Sequence, residues 1–228
     1  MITTTPVAQP KSAISAIAAR LTLAASGLFL VLFATLHIIE PEYAPSWRMV
    51  SEYADGKYGW VMTLAFLTLS FSCVTVFIAV RSSVNTRGGK IGLGVLLATA
   101  AALFGAALFP MDPLTTAPSA GTIHGMLHGF VSLVGVPGLP LAALLIGRSL
   151  RRNLAWSGSK RGLAWAANFA GLSFILLVLT VGIMLPLAGG KFGPQVWTGW
   201  ANRILMLGYA GWLMTTAWYA LKVRKQTV

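Results

Sequence analysis

Tyr58–Val80 reads YGWVMTLAFLTLSFSCVTVFIAV and carries no charge from end to end. At about 1.5 Å of rise per residue, roughly 20 apolar residues cross the hydrocarbon core of a bilayer, so this run is long enough to span one. The rest of the chain repeats the pattern. Ile91–Met111 and Gly162–Gly190 are equally free of charge, Gly121–Gly147 is interrupted only by two histidines, Leu21–Leu36 runs on to His37, and Ile204–Leu221 follows Arg203. Composition agrees: 56% of the 228 residues are hydrophobic and 10% are charged, against roughly 25% charged in soluble domains. These runs predict an all-α polytopic membrane protein, a bundle of six transmembrane helices near 15–39, 58–80, 91–111, 121–147, 162–187 and 198–221. Residues 13–222 form the membrane domain, residues 1–12 a flexible tail and 223–228 a short basic tail.

The net charge of +12 is a topology signal, not a nucleic-acid footprint. Loops on the cytoplasmic side collect Lys and Arg. With both termini in the cytoplasm, thirteen of the seventeen basic residues fall inside, leaving Arg48, Lys57, Lys191 and Arg203 outside. The expected setting is the cytoplasmic (inner) membrane, with membrane lipids as partners and no nucleic acid. The single cysteine, Cys73, excludes a disulfide framework or a Cys-rich metal site. The first apolar segment exceeds a signal-peptide core and lacks a small-x-small cleavage site, so it is read as a retained helix.

The inward loops, RSSVNTRGGK and RSLRRNLAWSGSKR, are short basic connectors. All five carboxylates, Glu40, Glu42, Glu52, Asp55 and Asp112, lie on the other side. Helical rise converts sequence distance into depth. His37 lies ~26 Å from Arg20, His128 ~30 Å from Arg148 with His124 ~6 Å beyond it, Asp112 ~33 Å from Lys90, and Arg203 ~29 Å from Lys222. Five polar groups from four helices therefore share the outer membrane–water boundary, and intramembrane ionisable groups are expensive enough to mark a site.

His124 and His128 stand at i and i+4, on one helix face. Two imidazoles so spaced are able to bind zinc with help from His37, Asp112 or a loop glutamate. The catalytic spacing H-E-x-x-H has a glutamate where this chain has Gly125, so any general base would come from a loop. A haem held between His124 and His128 is excluded by their shared face. Proton-coupled transport lacks an acid or base deep in the membrane. Gly121, Gly125 and Gly129 make a small-xxx-small stripe suited to close approach of another helix, in this chain or in another subunit. Pro137 and Pro140 remove backbone donors mid-helix. In HIIEPEY, Pro41 ends the first helix and sets Glu40 against its negative dipole end, which calls for a cationic partner from Arg203, His124 or Lys57. Tyr58, Trp60, Trp197 and Trp200 read as interfacial anchors. Arg203 reads as a snorkelling anchor, an anion clamp or a salt-bridge partner of Asp112 or Glu52.

Together His37–Pro41 (H-x-x-x-P), Ser51–Tyr53 with Gly56 (S-E-Y), Phe109–Asp112 (F-P-x-D) and His124–His128 (H-G-x-x-H) resemble a bacterial and archaeal six-helix membrane family classed as a domain of unknown function. The resemblance spans nearly the whole chain and implies six helices and a polar cluster at one end. A looser likeness links it to eukaryotic six-helix membrane proteins of lipid remodelling and autophagy modulation, with no residue roles carried over. The leading expectation is a pocket of His37, Glu40, Glu52, Asp112, His124, His128 and Arg203 that binds a lipid headgroup or a small amphiphile. The alternatives are a zinc-type membrane hydrolase, with His37, Asp112, His124 and His128 as ligands, and an accessory subunit of a larger complex.

Overall fold

The computed structural model describes residues 13–225; the 1–12 tail and the last three residues of the 223–228 tail lie outside them. Among the described residues there is no strand. Six long helices follow one another: α1 (Ala13–Ile39), α2 (Gly59–Val80), α3 (Arg87–Leu108), α4 (Ile123–Arg152), α5 (Lys160–Leu187) and α6 (Thr198–Lys225). Each is long and apolar enough to cross a membrane.

Several boundaries differ from those expected, for a common reason. Hydropathy reports the thickness of the hydrocarbon, whereas a helix continues until its backbone is stopped. Thr86 caps α3 by accepting the amide of Gly89 (3.0 Å), so the helix begins at Arg87, ahead of the apolar run. The same helix ends at Leu108, short of residue 111. Phe109 precedes a proline and is extended (φ −115°, ψ 98°), as the steric clash with the following ring requires. α4 carries Arg148, Arg151 and Arg152 within its last turns, and the basic loop shrinks to a short 3₁₀ turn at Leu154–Ser159.

Each helix packs on its sequence neighbours, and α6 closes the ring against α1, while α4 and α6 barely touch. The ring is held by close approach and buried polar pairs. Ser70 donates to the Ala100 carbonyl (2.7 Å) between α2 and α3, and Thr22 bonds Thr75 (2.9 Å) between α1 and α2. A Cβ on Gly138 would lie 2.3 Å from the Thr99 hydroxyl, so glycine there sets the α3–α4 distance. α5 is the least enclosed helix, with Leu172, Ile175, Leu179, Ile183 and Leu187 exposed along one stripe; this is the lipid-facing side.

Pro137 and Pro140 lie inside a continuous α4. Pro140 has no N–H for the Val136 carbonyl one turn earlier. Tyr209 of α6 fills that vacancy by donating its hydroxyl to the Val136 oxygen. Tyr209→Phe should therefore lower stability by about 0.5–1.5 kcal/mol, read as a lower melting temperature in detergent; an unchanged melt would show the carbonyl satisfied otherwise.

Candidate functional site

The polar residues of the acidic end form two structures, not one. The first is a hub around Arg203, on the second turn of α6 and 4% exposed. His37, in the last turn of α1, donates Nδ1–H to the Phe33 carbonyl (2.7 Å). A carbonyl only accepts, so Nδ1 bears the proton, and Nε2 accepts from Arg203 Nε (2.7 Å). The imidazole is thereby a neutral acceptor. The guanidinium also donates to the carbonyls of Arg48 (2.7 Å) and Gly199 (3.2 Å) and to the Tyr53 hydroxyl (3.1 Å). Tyr53 belongs to the short 3₁₀ helix Val50–Asp55, which this arginine fastens to α1 and α6. The expected salt bridge to Asp112 or Glu52 is corrected: among the described residues no carboxylate pairs with Arg203, and most of its fork is spent on fixed acceptors.

Glu52 is fully buried beside this hub. Its oxygens accept the amides of Met49 (2.7 Å) and Leu114 (2.9 Å), and Arg48 stands 3.3 Å away. It stitches the first loop of the acidic end to the second. Burial raises its pKa above the usual carboxylate range, opposed by those amides and by Arg48.

Glu40 does not find the cation expected for it. One carboxylate oxygen takes the amide of Tyr58 at the start of α2, and the other has no hydrogen bond among the described residues. Free N–H groups and the positive dipole end of α2 act in place of a cationic side chain. The carboxylate rests on Gly56, where any Cβ would overlap it.

The second structure is a partly open cavity of about 650 Å³ in the acidic half of the bundle. It exists because α4 and α6 stay apart there. Ala102, Leu103 and Ala106 of α3, Val131 and Val136 of α4, Leu177, Val178 and Val181 of α5, and Met206 of α6 supply apolar walls; Met49, Met111 and Leu114 come from the loops. Its polar side chains are few: Ser51, Asp112, His128 and Asn202 lie toward the acidic end, and Ser132 and Tyr209 lie deeper. His128, 5% exposed, donates Nδ1–H to the Phe109 carbonyl (2.8 Å), which leaves Nε2 without a partner among the described residues. Asn202 accepts the Val50 amide on its Oδ1 (3.0 Å), leaving its NH₂ without a partner among the same residues. Asp112 stands at the rim.

Asp112 is held by Thr122, which donates its amide (2.8 Å) and its hydroxyl (2.7 Å) to the two carboxylate oxygens. The same hydroxyl accepts the Gly125 amide (3.0 Å) and caps α4. These bonds hold the carboxyl below its ordinary pKa, with His124 assisting, so Asp112 is an anion at neutral pH. A Cβ on Gly125 would meet Asp112 Oδ2 at 2.1 Å. The missing glutamate of the protease spacing is thus a glycine that a carboxylate from another segment covers. Gly129 meets nothing within 4 Å, and Gly121 precedes α4; among the described residues the glycine stripe forms no helix–helix seam.

Of the seven residues predicted together, His37 and Arg203 meet in the hub, with Glu52 reaching it through Arg48. Asp112 and His128 line the cavity. Glu40 sits apart at α2, and His124 is exposed against the Phe109 ring, with centroids 5.9 Å apart. The four residues read as metal ligands do not converge: among the described residues no three His, Cys, Asp or Glu side chains could hold a metal ion. Sharing a helix face does not give His124 and His128 the same surroundings, because one turn separates solvent from interior. Asn202 and Tyr209 were missed as site residues. Their signal was available, since they sit at i and i+7 on one face of an apolar helix, where polar side chains are costly.

Asp55 lies within electrostatic reach of Glu52 and Asp112. Partial desolvation, then the Glu52 and Asp112 carboxylates, push its pKa up to about 6 from 3.8. Between those values the folded state binds more protons than the unfolded state, so stability falls as pH rises through this window and the deficit is complete above it. Asp55→Asn should leave the melting temperature unchanged near pH 4 and raise it near pH 7.5. A gain of equal size at both would place its cause outside this titration.

No curated protein and no solved structure matches the chain. Residues 23–219 match the model of a family described as protein of unknown function, DUF998. With six apolar helices long enough to span a bilayer, the chain is a multi-pass membrane protein that belongs to the DUF998 family.

Proposed function

We propose that this protein binds an amphiphile in the cavity between α3, α4, α5 and α6, with the apolar part among the walls and the polar end at His128, Asn202 and Asp112. The observation that carries this reading is a cavity of about 650 Å³ with mostly apolar walls and a mouth at which Asp112, His128 and Asn202 present polar groups. Ligand sites typically enclose ~300–1,000 Å³ with a few placed polar groups on an apolar lining. The basic residues at the opposite end of the bundle support an orientation with both termini in the cytoplasm, which turns the polar end of the cavity outward from a cytoplasmic membrane. The zinc-hydrolase reading has no converging donor set behind it among the described residues. Organic extraction of the purified protein, followed by mass spectrometry, tests the proposal. About one amphiphile per chain should survive extensive detergent washing. A wild-type preparation free of any such molecule would overturn it.

A further inference from the structure

The polar groups of the cavity also select among amphiphiles. Among the described residues no Lys or Arg lines it. Arg203 follows Asn202 directly in sequence, yet its guanidinium is turned to His37, Tyr53 and the Arg48 carbonyl. Arg48 is committed to Glu52 and to the rings of Tyr43 and Trp47. At the rim stands Asp112, with Glu52 and Asp55 close enough for mutual repulsion. A phosphate or carboxylate headgroup entering here would lose water, gain no counter-charge and meet an anion.

Toward its mouth, beside the Ser51 hydroxyl, the cavity offers an acceptor and a donor, with the hydroxyls of Ser132 and Tyr209 deeper in. His128 has its proton on Nδ1, committed to the Phe109 carbonyl, so the neutral ring presents the Nε2 lone pair. Asn202 has its carbonyl oxygen committed to the Val50 amide, so it presents NH₂. The helices α4 and α6 both run inward from the acidic end. His128 lies five residues and Asn202 four residues from their respective starts, Ile123 and Thr198, depths of ~7.5 and ~6 Å. A donor and an acceptor at one level, on helices that leave a gap between them, suit a group that both donates and accepts. A hydroxyl does so; an ionised acid only accepts, and an ammonium, though drawn to Asp112 at the rim, only donates and leaves the Asn202 NH₂ unmatched.

We infer that the occupant of this cavity is an uncharged lipid with a free hydroxyl, such as a long-chain alcohol or an acylglycerol, which donates to His128 Nε2 and accepts from Asn202. This rests on the amphiphile-binding reading and narrows it.

The test uses the full chain in phosphatidylcholine nanodiscs, with retention of tritiated hexadecanol measured against protein-free discs near pH 7.5. Hexadecanol should displace the label at concentrations at least about tenfold lower than hexadecanoic acid, hexadecyl phosphate or hexadecylamine. Asn202→Asp keeps an oxygen for the Val50 amide and removes the donor. It should weaken hexadecanol retention by about three- to tenfold, the value of one hydrogen bond. If the acid, phosphate or amine competes as well as the alcohol, the hydroxyl assignment is overturned while amphiphile binding stands. The hydroxyl assignment also falls, alone, if Asn202→Asp, folded as judged by its melt, retains hexadecanol undiminished. If none of the four hexadecyl compounds is retained above protein-free discs, both fall.

Discussion

Arg203→Met is expected to destabilise the folded bundle by about 3–5 kcal/mol and to lower its melting temperature by roughly 10 °C. Methionine keeps much of the volume and remains apolar, so the loss is in hydrogen bonding. The substitution strands the His37 Nε2, the Tyr53 hydroxyl and the Arg48 carbonyl at once. A buried acceptor without a donor costs about 1–3 kcal/mol; relaxation around the cavity left behind brings three of them to the lower part of their sum. Arg203→Lys should fall between wild type and Arg203→Met, since an ammonium reaches one or two of these acceptors but cannot present a planar fork. Tryptophan fluorescence during heating in detergent is a sufficient readout. A melt within a degree or two of wild type would mean that the hub does not fasten the first loop to α1 and α6.

The second large effect is on binding and not on stability. Gly182→Phe is expected to reduce the amphiphile recovered per chain by at least about tenfold, with no fall in melting temperature. Gly182 lines the cavity, and a Cβ placed there meets nothing within 4 Å. The ring therefore enters vacant space instead of colliding with packed atoms. Inside a helix the change also removes a residue that costs up to ~1 kcal/mol relative to a good helix former. Ala106→Phe, which projects from the opposite wall on α3, should act the same way on recovery with a modest loss of stability, because Ala106 is nearly buried. Loss of lipid together with unfolding in both variants would point to a structural void. Loss of lipid from a protein that melts normally is the signature of a site.

The spans were legible in the sequence because charge-free runs as long as Tyr58–Val80 have few other uses. Their ends were less so. Arg87 and Lys90 at one helix start, and Arg148 to Arg152 at one helix end, continue helices past the hydrocarbon, where hydropathy carries no information. That His37, Asp112, His124, His128 and Arg203 belong to the same end of the bundle as the carboxylates follows from helical rise, which turns residue number into height. What height cannot give is the direction in which each residue faces its neighbours. His37 and Arg203 meet across α1 and α6, while Asp112 and His128 face the gap on the far side of α6, and a one-dimensional reading merges the two. Glu40 shows a second limit, for its partner is a backbone amide of Tyr58 and not a side chain. The cavity was invisible because it arises from two helices failing to touch, a property of no single residue.

The most direct measurement is photolabelling with a hexadecanol bearing a mid-chain diazirine, on the full chain in phosphatidylcholine nanodiscs, followed by peptide mapping. If the cavity is a binding site, adducts concentrate on the facing residues of α4, α5 and α6, Val131, Val136, Leu177, Val181 and Met206, and disappear in Gly182→Phe. If the bundle only sits among lipids, adducts instead spread along Leu172, Ile175, Leu179 and Leu187 on the exposed stripe of α5, and Gly182→Phe leaves the pattern unchanged.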